Sequence, residues 1–196
     1  MNPNEILGVL EDKGAVLRGH FQLSSGRHSD LFVQKFRVLE HPRLAQRFGE
    51  SLARLFDDDF DVVAAPAVGA VVLGFATALA GEARSIFSER TEGKMALRRG
   101  FSIAPHERVL IVEDVITTGG SAREVVDLVR ASGGDVVGVG ALLDRSSYPA
   151  AEATAALGAP LRALVKLDAD SWEPTQCPLC STGEPLEDPG SRRLGR

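Results

Sequence analysis

The chain's 196 residues fit one generous domain, or a domain with a small appendage, and a chain of this size buries roughly 70% of the surface it exposes when unfolded, so it needs no staples. Hydrophobic residues at 44% and charged residues at 25% exclude a disordered chain, a coiled coil and a disulfide-dense secreted module. The balance of 22 basic against 27 acidic side chains leaves a net charge of −5, which excludes the broad positive field of a non-specific nucleic-acid binder.

In chain order, Ile6, Leu7, Val9 and Leu10 share one face of a helix over 3–13, with Asn2 or Asn4 as its cap and Gly14 as its stop. Residues 15–37 are mixed: Phe21 and Leu23 alternate, a polar turn follows, and Leu31, Val33 and Phe36 resume a strand-like run. His41–Pro42 opens a second helix with Leu44, Phe48, Leu52, Leu55 and Phe56 as its stripe. The pattern then becomes strand, loop, helix, repeated: strands over 61–65, 84–88, 109–112, 136–143 and 161–167, and helices over 71–79 and 121–132. Uninterrupted apolar strands alternating with helices predict an α/β fold with a parallel sheet covered on both faces. Residues 89–100 are polar and basic, and 173–196, rich in proline, glycine and charge, read as a loose tail.

Residues 62–81 carry no charge, about the length that spans a bilayer, but Pro66, Gly69, Gly74 and Gly81 interrupt them. They read as a buried strand, a turn and an alanine-rich helix. With no basic, apolar leader in the first fifteen residues and only two cysteines, a cytoplasmic location is expected.

The chemistry concentrates in RVLIVEDVITTGGSARE, residues 108–124. An apolar strand leads into Glu113 and Asp114, and Val115 and Ile116 precede Thr117, Thr118, Gly119, Gly120 and Ser121, where a helix begins. The glycines allow a tight turn whose amides converge on one anion, the hydroxyls add donors, and the helix start adds its positive end. No lysine follows the second glycine, so this is a phosphate cradle without being a P-loop. Two acids beside an anion site suit ribose hydroxyls, with a magnesium ion offsetting the charge. Neighbouring strand residues face opposite ways, so both acids can meet one ligand only where the strand is ending.

VLIVEDVITTGGS resembles the 5-phosphoribosyl 1-pyrophosphate (PRPP) binding motif of type I phosphoribosyltransferases. The resemblance implies that family's fold: a mainly parallel sheet flanked by helices, a domain over 1–170 whose first 40 or so residues form a hood, and a tail over 171–196. It implies that Glu113 and Asp114 hold the ribose hydroxyls and that Thr117 to Ser121 hold the 5-phosphate, with Val115 and Ile116 between them also counted among the PRPP-binding residues. Phe21 to Ser29, FQLSSGRHS, is similar to the N-terminal signature of orotate phosphoribosyltransferases, and Arg145, after Leu143–Asp144, matches the arginine that pairs with the orotate carboxylate there. The resemblance therefore assigns orotate binding to Ser25, Arg27, Thr117 and Arg145. It assigns the basic loop, with Arg90 and Lys94 as catalytic cations beside Asp114, to the pyrophosphate.

The implied reaction is displacement of pyrophosphate by a ring nitrogen of orotate to give orotidine 5′-monophosphate, a step of pyrimidine biosynthesis, with magnesium held through PRPP rather than by the protein. A homodimer is implied, its basic loop reaching the partner's site, with no nucleic-acid or membrane partner. The chain departs from the family pattern at Ser24, at Pro66–Ala67–Val68–Gly69–Ala70 and in the loop SERTEGKMALRR, where lysines or a histidine are usual. A purine phosphoribosyltransferase and a PRPP-sensing regulator are the alternatives. Cys177 and Cys180 have the spacing of half a zinc knuckle, open to a subunit-shared metal, a redox pair or two free thiols; free thiols are the default, because His20, His28, His41 and His106 show no ligand spacing.

Overall fold

The computed structural model describes residues 1–23, 25–146 and 149–189; Ser24 and the last seven positions of the expected tail lie outside them. The chain opens with α1 (Pro3–Asp12), started by a reciprocal cap in which Asn2 accepts from the Glu5 amide and Glu5 accepts from the Asn2 amide. Gly14, at φ 63°, turns the chain out of it. Strands β1 (Val16–Gln22) and β2 (His28–Val33) form an antiparallel hairpin, followed by α2 (Phe36–Leu39) and α3 (Pro42–Leu55). Next come β3 (Val62–Pro66), α4 (Val71–Ala80), β4 (Arg84–Thr91), β5 (Lys94–Leu97), β6 (Arg108–Ile116), α5 (Gly120–Ala131) and β7 (Asp135–Asp144). The chain closes with α6 (Ala150–Leu157), β8 (Leu161–Lys166), β9 (Ser171–Trp172) and α7 (Pro178–Ser181).

The main sheet has the order β5-β4-β3-β6-β7-β8, parallel except for the β4–β5 pair. One face carries Ile6 and Leu10 of α1, Phe48 and Leu52 of α3 and Leu73 of α4 against Leu110, Val112 and Leu142. The other carries Val125 and Val129 of α5 and Leu157 of α6 against Val62, Ile86 and Ile111. Because β3, β6 and β7 are filled on both sides, they read as near-continuous apolar runs, whereas β4 and β8 also carry charged residues. Chain order reverses direction between β3 and β6, and the carboxyl ends of adjacent strands at such a switch point leave a crevice for ligands.

Two segments differ from the sequence expectation. The polar stretch after residue 89 is a regular hairpin: Arg90 pairs with Met95 and Thr91 with Lys94 across a two-residue turn at Glu92 and Gly93, both at positive φ. Met95 and Leu97 give it an apolar underside against the second core face. Residues 171–189 are not loose either. Strand β9 adds to β2, and the backbones of His20 and Gln22 exchange hydrogen bonds with Glu187. This packing also corrects the reading of the histidines as scattered, since His20 and His28 meet Cys177 and Cys180. No helix among the described residues is long and apolar enough to cross a membrane.

Candidate active site

Strand β6 delivers its carboxyl end to the switch point, and the turn after it builds the anion cradle. Gly119 holds φ 77° immediately before α5, and a Cβ there would come within 2.8 Å of Leu157. Only glycine satisfies both constraints. No side chain caps the first turn of α5, so its amides are left to an anion. Thr117, Thr118, Gly120 and Ser121 are exposed around them, while Ile116 is buried beneath.

The strand does not end at the acids, as the sequence suggested, but runs on to Ile116. Leu110, Val112 and Val115 pack on one core face and Ile111 and Ile116 on the other. The two-residue alternation therefore slips across Glu113–Asp114, which lets neighbouring acids serve one cleft. Both are buried, and the Glu113 carboxylate accepts from the Asp114 amide at 3.1 Å. Burial, and then the adjacent Asp114 charge, push the Glu113 carboxyl up to about 8, against the pull of that amide and of Lys35.

Lys35 is the residue that sequence reasoning missed. Its Nζ lies 2.6 Å from Oδ2 of Asp114, an ion pair sent across from the segment between β2 and α2. The one signal for it was a single cation between the apolar runs 31–33 and 36–39, which by itself reads as a solvated surface lysine. The opposite wall is the turn after β3, where a Cβ on Gly69 would fall 2.0 Å from Asp114 Oδ2 and 2.6 Å from Lys35 Nζ. Glycine is required there by close approach. The same turn contains a cis peptide between Ala67 and Val68.

Arg145 follows β7, and its amide donates to the carbonyl of Ile116 at 2.7 Å, which sets it beside the phosphate loop. Its Nη2 donates to Ser29 Oγ (3.2 Å) and to the carbonyl of Leu31 (2.9 Å), while its buried Nε has no hydrogen-bond partner among the described residues. Burial lowers its pKa, opposed by the charge of Asp30. A half-buried guanidinium with one unsatisfied donor favours a carboxylate partner.

The remaining candidates are placed differently. Ser25 is exposed at the tip of the β1–β2 hairpin, where its Oγ accepts from the Arg27 amide at 3.4 Å. The Arg27 guanidinium is engaged by Ser171 Oγ (3.2 Å), the Ser171 carbonyl (2.5 Å) and the Glu173 carboxylate, and so fastens the C-terminal segment. Arg90 pairs with Glu124 on α5 through Nη2 at 2.9 Å, and its Nη1 donates to the Gly93 carbonyl. Lys94 is exposed at the hairpin turn.

Residues 37–157 match the phosphoribosyl transferase domain family. The chain is 44% identical over 195 residues to the orotate phosphoribosyltransferase of Desulforamulus reducens, covering 99% of this chain and 100% of that protein. The crystal structure of orotate phosphoribosyltransferase from Aeropyrum pernix superposes with a TM-score of 0.70 at 27% identity, covering 83% of this chain and 93% of that one. That of Mycobacterium tuberculosis H37Rv orotate phosphoribosyltransferase in complex with PRPP gives a TM-score of 0.66 at 30% identity, covering 84% and 96%. A cradle without a P-loop lysine, an acid pair on the strand before it and a half-buried arginine with an unsatisfied Nε thus meet full-length similarity to one enzyme group, and the chain belongs to the orotate phosphoribosyltransferases of the phosphoribosyltransferase family.

Proposed function

We propose that Thr117, Thr118, Gly119, Gly120 and Ser121 hold the 5-phosphate of PRPP, Glu113 and Asp114 its ribose hydroxyls, and Arg145 the carboxylate of orotate. The reaction is that of the family: ribose 5-phosphate passes from PRPP to orotate, giving orotidine 5′-monophosphate and pyrophosphate. The observation that carries the assignment is Arg145, whose backbone is tied to Ile116 at the head of the cradle and whose half-buried guanidinium keeps a buried Nε with no hydrogen-bond partner among the described residues. A purine base has no carboxylate to fill that place.

A ring nitrogen of orotate displaces pyrophosphate at the anomeric carbon through a transition state with oxocarbenium character. The acid pair supports it by accepting from the hydroxyls next to the developing positive charge, and the ion pair with Lys35 keeps Asp114 aimed. Negative charge builds on the leaving pyrophosphate. Arg90 and Lys94 are the cations to meet it, the former by exchanging its Glu124 partner for phosphate oxygens. Closure of the hairpin over the cleft would also exclude water.

Magnesium fits the charges present. PRPP brings several negative charges toward the buried Glu113 and Asp114, so it enters with less repulsion when its pyrophosphate carries a divalent cation. Glu113 and Asp114 are hard oxygen donors for the water shell of such an ion, which supplies neutralisation of the leaving group.

A homodimer is supported by α4. Val68 (77% exposed), Val72 (42%), Phe75 (61%) and Leu79 (61%) form one apolar stripe at helical spacing, a surface that a second copy would cover. A cytoplasmic location is supported by the scarcity of cysteine.

The deciding experiment mixes the protein with orotate, PRPP and magnesium and follows loss of the orotate absorbance. Loss that requires both PRPP and the metal, with pyrophosphate released one for one, is expected. Persistence of orotate, with turnover of a purine base instead, would replace this reading.

A further inference from the structure

We propose that His20, His28, Cys177 and Cys180 form a tetrahedral zinc site that clips the C-terminal segment onto the N-terminal hairpin. Their ligand atoms all lie within 4.8 Å of one another. Nε2 of His20 is 3.0 Å from Nδ1 of His28, 3.4 Å from Sγ of Cys177 and 3.7 Å from Sγ of Cys180, and His28 Nδ1 is 3.3 Å from Sγ of Cys180. Zinc bonds of about 2.0 Å to nitrogen and about 2.3 Å to sulfur set tetrahedron edges of about 3.3 Å between nitrogens and about 3.5 Å between nitrogen and sulfur, and the four separations above lie within about 0.3 Å of those edges.

Each ligand is aimed by its own backbone. One extra residue in β1 between Arg18 and Phe21 bulges the strand at Gly19–His20, and His20 then stands diagonally from His28 on one face of the hairpin. Cys177 caps α7 and Cys180 lies one turn on, so both sulfurs leave the same side of that short helix. His20 Nδ1 faces the carbonyl of Glu184 at 2.8 Å. A carbonyl can only accept, so Nδ1 carries the proton and Nε2 turns a lone pair toward the cluster, the tautomer a metal requires. His20, His28 and Cys177 are buried.

Two thiolates and two imidazoles favour zinc over magnesium or calcium, and two thiolates balance its charge. On binding, the two thiols release their protons to solvent. All four positions are filled by protein, so the site is structural rather than catalytic. What it secures is the wall around Arg145: Ser29, next to His28, accepts from Arg145 Nη2 and donates to the carbonyl of Asp170 at 2.7 Å. That consequence rests on the orotate reading above; the metal site itself does not.

The test uses the full chain and measures metal rather than turnover. Protein purified under reducing conditions is expected to retain one zinc per chain. After stripping, titration with Co²⁺ should give the visible bands of tetrahedral cobalt with thiolate charge transfer, saturating at one equivalent and displaced by Zn²⁺. Cys180→Ser should abolish both and His41→Ala neither, and chelation should lower the melting temperature by on the order of 10 °C in the wild type and in His41→Ala but not in Cys180→Ser. If Cys180→Ser fails to fold, the wild-type titration still decides. Protein that retains no zinc and gives no tetrahedral cobalt spectrum overturns the site, as does a Cys177–Cys180 disulfide that persists with no metal bound.

Discussion

Arg145 brings a half-buried positive charge to the cleft wall, fastened through Nη2 by Ser29 and Leu31 and left with an unsatisfied Nε. Replacing it with alanine is expected to raise KM for orotate on the order of 100-fold, because a bidentate charged pair is lost, while KM for PRPP changes little. Steady-state kinetics with each substrate varied check this; equal rises in both constants would remove the carboxylate assignment. Glu113 is the second residue with a readable consequence. Its carboxyl is pushed up to about 8 from 4.5, so the folded state binds a proton that the unfolded chain has released. Its contribution to stability is therefore full below pH 4.5 and declines as pH rises through about 8. Glu113→Gln should flatten that decline, making the variant more stable than the ligand-free wild type above pH 8. Melting curves from pH 5 to 9 measure it, and parallel curves for the two proteins would refute it.

At the scale of elements, the β6–α5 turn depends on one glycine. Gly119→Ala forces a Cβ both into positive φ and against Leu157, and should cost about 1–3 kcal/mol in denaturant unfolding. The same change displaces the amides of the cradle, so PRPP affinity should fall with it. Retention of both properties would mean that the turn relaxes freely. The sequence made this element legible because cradle chemistry needs glycine and hydroxyl residues in one short string. It did not reveal the slip in alternation at Glu113–Asp114, which depends on which core each side chain meets. The β4–β5 hairpin was hidden for a related reason: its polar face dominates the string, and Met95 and Leu97 find their apolar partners, such as Phe101, only after folding.

For the whole molecule, the exposed stripe of α4 is the largest unresolved demand. A helix in a protein of this size rarely leaves a phenylalanine and a leucine more than half exposed side by side, so a second copy should cover them. Phe75→Glu is expected to shift the protein to a monomer in sedimentation while leaving its circular dichroism unchanged, since the side chain has little to hold within its own subunit. A dimer that survives the substitution would move the interface elsewhere. The basic hairpin belongs to the same question, because Arg90 in the isolated chain is occupied by Glu124.

Taken alone, the sequence determined the α/β alternation and the turn chemistry after β6, because each is written in residues close together in the chain, whereas Arg145 was singled out only through the family resemblance. Local spacing suffices for periodicity, turn chemistry and a strand-to-helix junction. Only the tertiary structure decided the partners that come from far away. Lys35 reaches Asp114 from another element, Arg27 turns to Ser171 and Glu173, and His20 and His28 meet two cysteines more than a hundred residues on. Those pairings depend on how the hairpin and the C-terminal segment close on each other, and no local pattern encodes the relative position of surfaces that far apart in sequence.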